Sequence, residues 1–112
     1  MKWLSFNCRG MASASKKLAL RRLFDTESVD ISMLQETLGD VDLITKTMAS
    51  LKSSWHFYSL DAMWHYRGLA IGYNPHTIKF ISLWGGLGFI GLDILLVDLG
   101  IELQVINIYG TC

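Results

Sequence analysis

The chain has 112 residues, the size of an ordinary domain, so a single core is expected across residues 1–112. Hydrophobic residues make up 51% and charged residues 18% of it, a balance that excludes disorder and implies much apolar surface to cover. Ten basic side chains meet ten acidic ones, so no global positive field draws in nucleic acid, and any such binding must come from a local site.

Trp3, Ser5 and Asn7 alternate with Leu4, Phe6 and Cys8 ahead of Arg9-Gly10, the pattern of a strand entering a turn. Ser13 or Ser15 then caps a helix ending near Ser28. Its Leu20, Leu23 and Phe24 form an apolar stripe, while Lys16, Lys17, Arg21 and Arg22 fall mostly toward water. Ile31 to Thr37 reads as a second strand. Strand, helix and strand span roughly 30 residues, the length of a right-handed βαβ crossover, so the two strands are parallel and their C-terminal ends lie side by side. Gly39-Asp40 opens a second helix with Val41, Ile44, Met48 and Leu51 at helical spacing. From Trp55 onward the period falls to two. Residues 55–60, 69–73, 78–84, 90–97 and 103–109 are strand-like, separated by Asn74-Pro75, Gly85-Gly86 and Gly100. The order βαβα followed by a β-meander predicts an α/β protein with a mixed sheet rather than a doubly wound parallel one.

Cys8 and Cys112 lie near opposite ends with no Cys/His cluster, which argues against structural zinc or a disulfide framework and reads as intracellular thiols, nuclear or cytoplasmic. Asn7 and Arg9 break the first apolar stretch short of signal-peptide length, so secretion is not expected. Asp93 and Asp98 make the greasy stretch from Phe80 to Leu99 a buried sheet rather than a membrane span.

Asn7 and Glu36 fall at or near the C-terminal ends of the two parallel strands, the edge of an α/β sheet where sites tend to form. Glu36 is a hard oxygen donor suited to Mg²⁺, and Asn7 could orient it or bond a phosphate oxygen. On spacing alone, an Asn ending a strand is more often a turn former, and a Glu after Gln35 more often a solvated strand end.

Four blocks, Ser5-Phe6-Asn7-Cys8-Arg9-Gly10, Ile31-Ser32-Met33-Leu34-Gln35-Glu36-Thr37, Tyr66-Arg67-Gly68-Leu69-Ala70-Ile71 and Val105-Ile106-Asn107-Ile108-Tyr109-Gly110, resemble in order successive blocks of the endonuclease/exonuclease/phosphatase superfamily. The likeness is greatest to the apurinic/apyrimidinic-endonuclease-like domain of plant LINE-type retroelements. It implies the N-terminal part of a DNase I-like four-layer α/β sandwich acting on DNA or another phosphodiester with Mg²⁺. Carried over position by position, it implies that Glu36 holds the metal, Asn7 supports the metal and phosphate site, and Tyr109 contacts the scissile phosphate.

Two departures bear on activity. Thr111 stands where those domains usually have Pro after Tyr-Gly, which removes a φ lock behind Tyr109. The resemblance also implies a second half supplying an Asp-x-Asn pair for the attacking water, a further metal-side Asp and a terminal Asp-His pair. No Asp of this sequence has Asn two places on, and none of His56, His65 and His76 follows an Asp. These groups act as a unit, so the chain alone is expected to be inactive, with apolar sheet surface exposed and prone to self-association. The alternatives are a non-catalytic binding or interaction module and a decayed retroelement product.

Gly86-Leu87-Gly88-Phe89-Ile90-Gly91 matches G-x-G-x-x-G, but the following segment is too short and too β-like for the helix a dinucleotide site needs, so a turn and a bulge are expected instead. The three histidines are scattered and none is assigned to a metal. Trp55, Phe57, Trp64, Tyr66 and Trp84 are expected to fill cores rather than stack on bases.

Overall fold

The computed structural model describes residues 1–11, 13–38, 41–63 and 66–109. Expectations for Gly39-Asp40, Trp64, His65, Thr111 and Cys112 lie outside the described residues. The elements run β1 (Trp3–Asn7), α1 (Ala14–Glu27), β2 (Ile31–Gln35), α2 (Val41–Leu51), β3 (His56–Met63), β4 (Tyr66–Tyr73), β5 (Ile78–Gly86), β6 (Phe89–Leu96) and β7 (Ile101–Ile108).

Helix α1 starts where its cap allows. Ser13 is extended at φ −75° and ψ 147°, and its Oγ accepts the Lys16 N–H at 3.2 Å, satisfying one of the donors a helix start leaves open. The helix ends at Ser28 in the left-handed conformation. Leu20 and Phe24 are buried, while Arg21 and Arg22 are exposed. In α2, Ile44, Met48 and Leu51 are buried at the expected spacing. Arg21 Nη2 donates to the Ser50 carbonyl at 2.8 Å and Lys52 pairs with Asp25 at 3.0 Å, tying the two helices together.

The strands form two sheets. The first is ordered β1-β2-β4-β3 and the second β5-β6-β7. As the crossover requires, β1 and β2 are parallel; β4 is antiparallel to both β2 and β3. The expected meander therefore divides at Asn74-Pro75. There Thr77 and Ile78 donate to the Asn74 carbonyl at 3.2 and 3.0 Å, and a chain turned this way starts a new sheet instead of extending the old one.

Alternation decides the layers. Leu34 and Ala70 point to the helices and join Leu20, Phe24, Ile44, Met48 and Trp55 in one core. Ile31, Leu69, Ile71 and Tyr73 point the other way and meet Ile90, Leu92, Ile94, Leu96 and Val105 of the second sheet. The order is helices, sheet, sheet. Because β2 and β4 have helices on one face and the second sheet on the other, both faces of β2 are covered, which is why it reads as a nearly continuous hydrophobic run. Trp55 packs against Phe24 and Phe57 with ring centroids 5.4 and 6.0 Å apart, the core role expected of it. Trp84 departs from that expectation. It lies on the outer face of the second sheet, where its indole N–H donates to Asp93 at 3.2 Å.

The glycine-rich segment forms a hairpin. Gly86 pairs with Phe89, so Leu87-Gly88 is the turn, and Gly88 has a φ of 78° that favours glycine. The bulge expected there is found instead between Phe80 and Ser82. Strand β6, not a helix, follows the turn, which excludes a dinucleotide site.

Candidate functional site

Strands β1 and β2 are in register from Trp3↔Ile31 to Asn7↔Gln35, so both end at one edge of the first sheet. Past Asn7 the chain turns through Arg9 and Gly10, at φ 49° and 95°. Asn7 Oδ1 accepts the Arg9 N–H at 3.1 Å, closing an Asx-type turn. Asn7 Nδ2 donates to Glu36 Oε2. One amide thus forms the turn and holds a carboxylate, the two roles that spacing alone left as alternatives.

The second strand is shorter than the expected Ile31 to Thr37. It stops at Gln35 because Glu36 and Leu38 adopt φ of 54° and 56°, which a continuing strand does not permit. A left-handed non-glycine residue costs on the order of 1–3 kcal/mol and persists only where its surroundings hold it. Here Gly10 donates to the Glu36 carbonyl at 2.8 Å, Cys8 to the Gln35 carbonyl at 2.8 Å and Thr37 to the Gly68 carbonyl at 3.4 Å. The half-buried Glu36 carboxylate stands beside Asn7 at the sheet edge.

The second sheet reaches the same edge through Asn107 on β7, which is 1% exposed. Its Nδ2 donates to the carbonyls of Leu34 at 3.0 Å and Ala70 at 2.9 Å. Its Oδ1 accepts Gln35 Nε2 at 2.8 Å, which also lies 3.2 Å from Ser5 Oγ. Tyr109, two residues on, donates its N–H to the Gly88 carbonyl at 2.8 Å and packs against the inter-sheet core. All four sequence blocks therefore converge on one edge. Gln35 and Asn107 were seen in sequence only as members of those blocks; the usable signal was Asn107 sharing the inward register of Val105.

His56 and His76 lie elsewhere, and Cys8 is inert. His56 stacks on Tyr73 with ring centroids 5.5 Å apart, and Tyr73 pairs with Ile31, which places both at the opposite edge. His76 sits in the turn that follows β4. Cys8 is fully buried. Its thiol is pushed up to about 12 mainly by burial, with Lys16 opposing and Glu36 adding to the rise, so it is no nucleophile at neutral pH. Among the described residues no group of three His, Cys, Asp or Glu side chains is placed to hold a metal, and no helix is long and apolar enough to cross a membrane. Mg²⁺ binds through one or two protein carboxylates, with water and substrate phosphate completing its shell. Glu36 fits as one such ligand, and Asn7 Oδ1 is already engaged by Arg9. The described residues thus fit one protein ligand rather than a full cage.

No protein family and no curated protein matches the sequence. Solved structures do match in shape. An endonuclease/exonuclease/phosphatase from Bacteroides vulgatus superposes with a TM-score of 0.71 at 10% identity, covering 94% of this chain and 50% of that one. D. rerio TDP2, complexed with a single-strand DNA product, gives 0.70 at 16% identity, covering 92% and 43%. The Xenopus laevis APE2 catalytic domain gives 0.64 at 18% identity, covering 97% and 45%. The fold is DNase I-like. At these identities the likeness is one of fold, and the chain spans half or less of each of these structures. The DNase I-like fold accounts for the two stacked sheets and for the helices lying on one side of them.

Proposed function

We propose that residues 1–112 form one truncated domain, the N-terminal part of a Mg²⁺-dependent phosphodiesterase that acts on DNA, and that the chain alone does not complete the reaction. The observation that carries this is the contact between Asn7 and Glu36 at the edge where the parallel strands end. A carboxylate held by an amide at that edge, in a DNase I-like fold, suits one oxygen ligand of a divalent cation. When bound, Mg²⁺ supplies offsetting charge to a phosphodiester. In this reading Glu36 provides the negative donor, Asn7 fixes its orientation, and Tyr109, just past the end of β7, contacts the scissile phosphate. The block likeness to plant LINE-type domains supports DNA as the substrate. The activation of water falls to residues this chain does not supply, and the exposed sheet surface supports self-association.

Joining this chain to the C-terminal half of an active relative tests the reading. The joined protein is expected to nick plasmid DNA with Mg²⁺, the chain alone is not, and Glu36→Gln is expected to reduce nicking strongly, with partial rescue by added metal. Equal nicking by a folded Glu36→Gln protein would overturn it.

A further inference from the structure

We infer that Asn107 is a positioning residue that sets the end of β7, which leads to Tyr109, against the end of β2, which leads to Glu36. The inference rests on the proposed function for what those two residues do, but not for the lock itself.

Asn107 is a buried amide on a sheet face that is otherwise apolar. Its inward-facing neighbours on β6 and β7 are Ile90, Leu92, Ile94, Leu96 and Val105. A leucine of similar size would fill the space, but it would leave the Gln35 amide and the Leu34 and Ala70 carbonyls without this partner, at some loss of stability. Those bonds also set direction. Apolar contact between two sheets is non-directional, so it leaves the sliding and rotation of one sheet over the other weakly defined. A hydrogen bond weakens steeply as its angle departs from linearity.

Asn107 makes such bonds at three points. Leu34 and Ala70, whose carbonyls it takes at 3.0 and 2.9 Å, are cross-strand partners on β2 and β4, so the amide is pinned over the seam between them. Its Oδ1 is fixed by Gln35 at 2.8 Å, and Gln35 is the residue before Glu36. Both amide protons and the carbonyl oxygen are used, so rotating the side chain by half a turn would set donor against donor and acceptor against acceptor. Tyr109 follows Asn107 by two residues. Each of the site's two sheets is thereby held within two residues of the group it contributes, and catalytic geometry is sensitive on that scale, where a 1 Å misplacement costs on the order of 100-fold in rate.

The test compares the whole chain with its Asn107→Leu form by residual dipolar couplings of backbone amides, read without metal, alongside chemical unfolding. In the parent chain, couplings from β1–β4 and from β5–β7 are expected to fit one alignment tensor. In Asn107→Leu, some loss of stability is expected from the partners left unpaired, and residues 107–109 no longer fit the tensor of residues 31–36 while the Gln35 side-chain amide signals move toward free values. A residue that only stabilises the fold would lower stability with the common tensor retained, and that result would overturn the inference. Should Asn107→Leu fail to fold, Gln35→Met removes one of the three bonds and leaves the carbonyl contacts. A smaller loss of the common tensor is then expected, and an unchanged tensor would count against the lock. Absence of divalent-cation binding at Glu36 would fall on the proposed function alone, because the couplings are measured without it.

Discussion

Asp93 shows how a single side chain organises an exposed sheet face. Its carboxylate accepts Ser82 Oγ at 2.5 Å and the Trp84 indole N–H at 3.2 Å. The Ser82 bond does most to hold its pKa below the ordinary carboxylate value; desolvation opposes it, and the bonds from Trp84 and Gln104 lower it further. A depressed folded-state pKa contributes stability that is present above the unfolded value and is lost as pH falls through the folded one. The parent chain is therefore expected to exceed Asp93→Asn in unfolding temperature from neutral pH down to about 4, with the gap closing in more acidic solution. A gap that does not change with pH would refute this role. Asn7 makes the complementary point about legibility. Sequence could say that an Asn ends a strand, and could not say that one amide serves the turn with its oxygen and a carboxylate with its nitrogen, because the second contact joins residues 29 positions apart.

Among the elements, α1 was legible because its signals are local: a Ser at the cap and an apolar stripe at helical spacing. Strand β2 was legible except at its end. Nothing in Gln35-Glu36-Thr37 announces that Glu36 turns left-handed, since that conformation is imposed by hydrogen bonds from the β1 turn and by the Thr37 N–H donating to the Gly68 carbonyl. The insertion of β4 between β2 and β3 was also out of reach, because alternation reports which face a residue takes and not which strand lies beside it. Gly72 on β4 shows what that insertion demands. A Cβ there would lie 2.3 Å from the Phe57 ring and 3.2 Å from Ser32 Oγ, so Phe57 and its packing on Trp55 would have to shift. Gly72→Ala is expected to cost about 1–3 kcal/mol in urea unfolding, and a variant as stable as the parent would show that this close approach is not a constraint.

Among the described residues, one side of the molecule is well covered and the other exposes apolar side chains. Helices α1 and α2 close the first sheet, while on the outer face of the second sheet Ile106 and Ile108 are 43% and 62% exposed. These two line an open groove of about 360 Å³ together with Trp84, Leu87 and Phe89. An apolar face of this kind next to strand edges favours association. Sedimentation velocity is expected to show the chain's apparent mass rising with concentration, and Ile108→Lys to weaken that rise. A compact monomer at every concentration would contradict it.

At the same scale, the central claim is that the edge where β1, β2, β4 and β7 meet holds a divalent cation through Glu36. Titration of the ¹⁵N-labelled chain with Mn²⁺, a paramagnetic stand-in for Mg²⁺, reads this directly. Binding is expected to be weak, on the order of millimolar, since a single carboxylate faces the ion. Broadening is expected to centre on Asn7 to Arg9, Gln35 to Thr37 and Gly68, to spare His56 and His76 at the far edge, and to disappear in a folded Glu36→Gln chain. Broadening that centres on the histidines, or that persists unchanged in Glu36→Gln, would contradict the account.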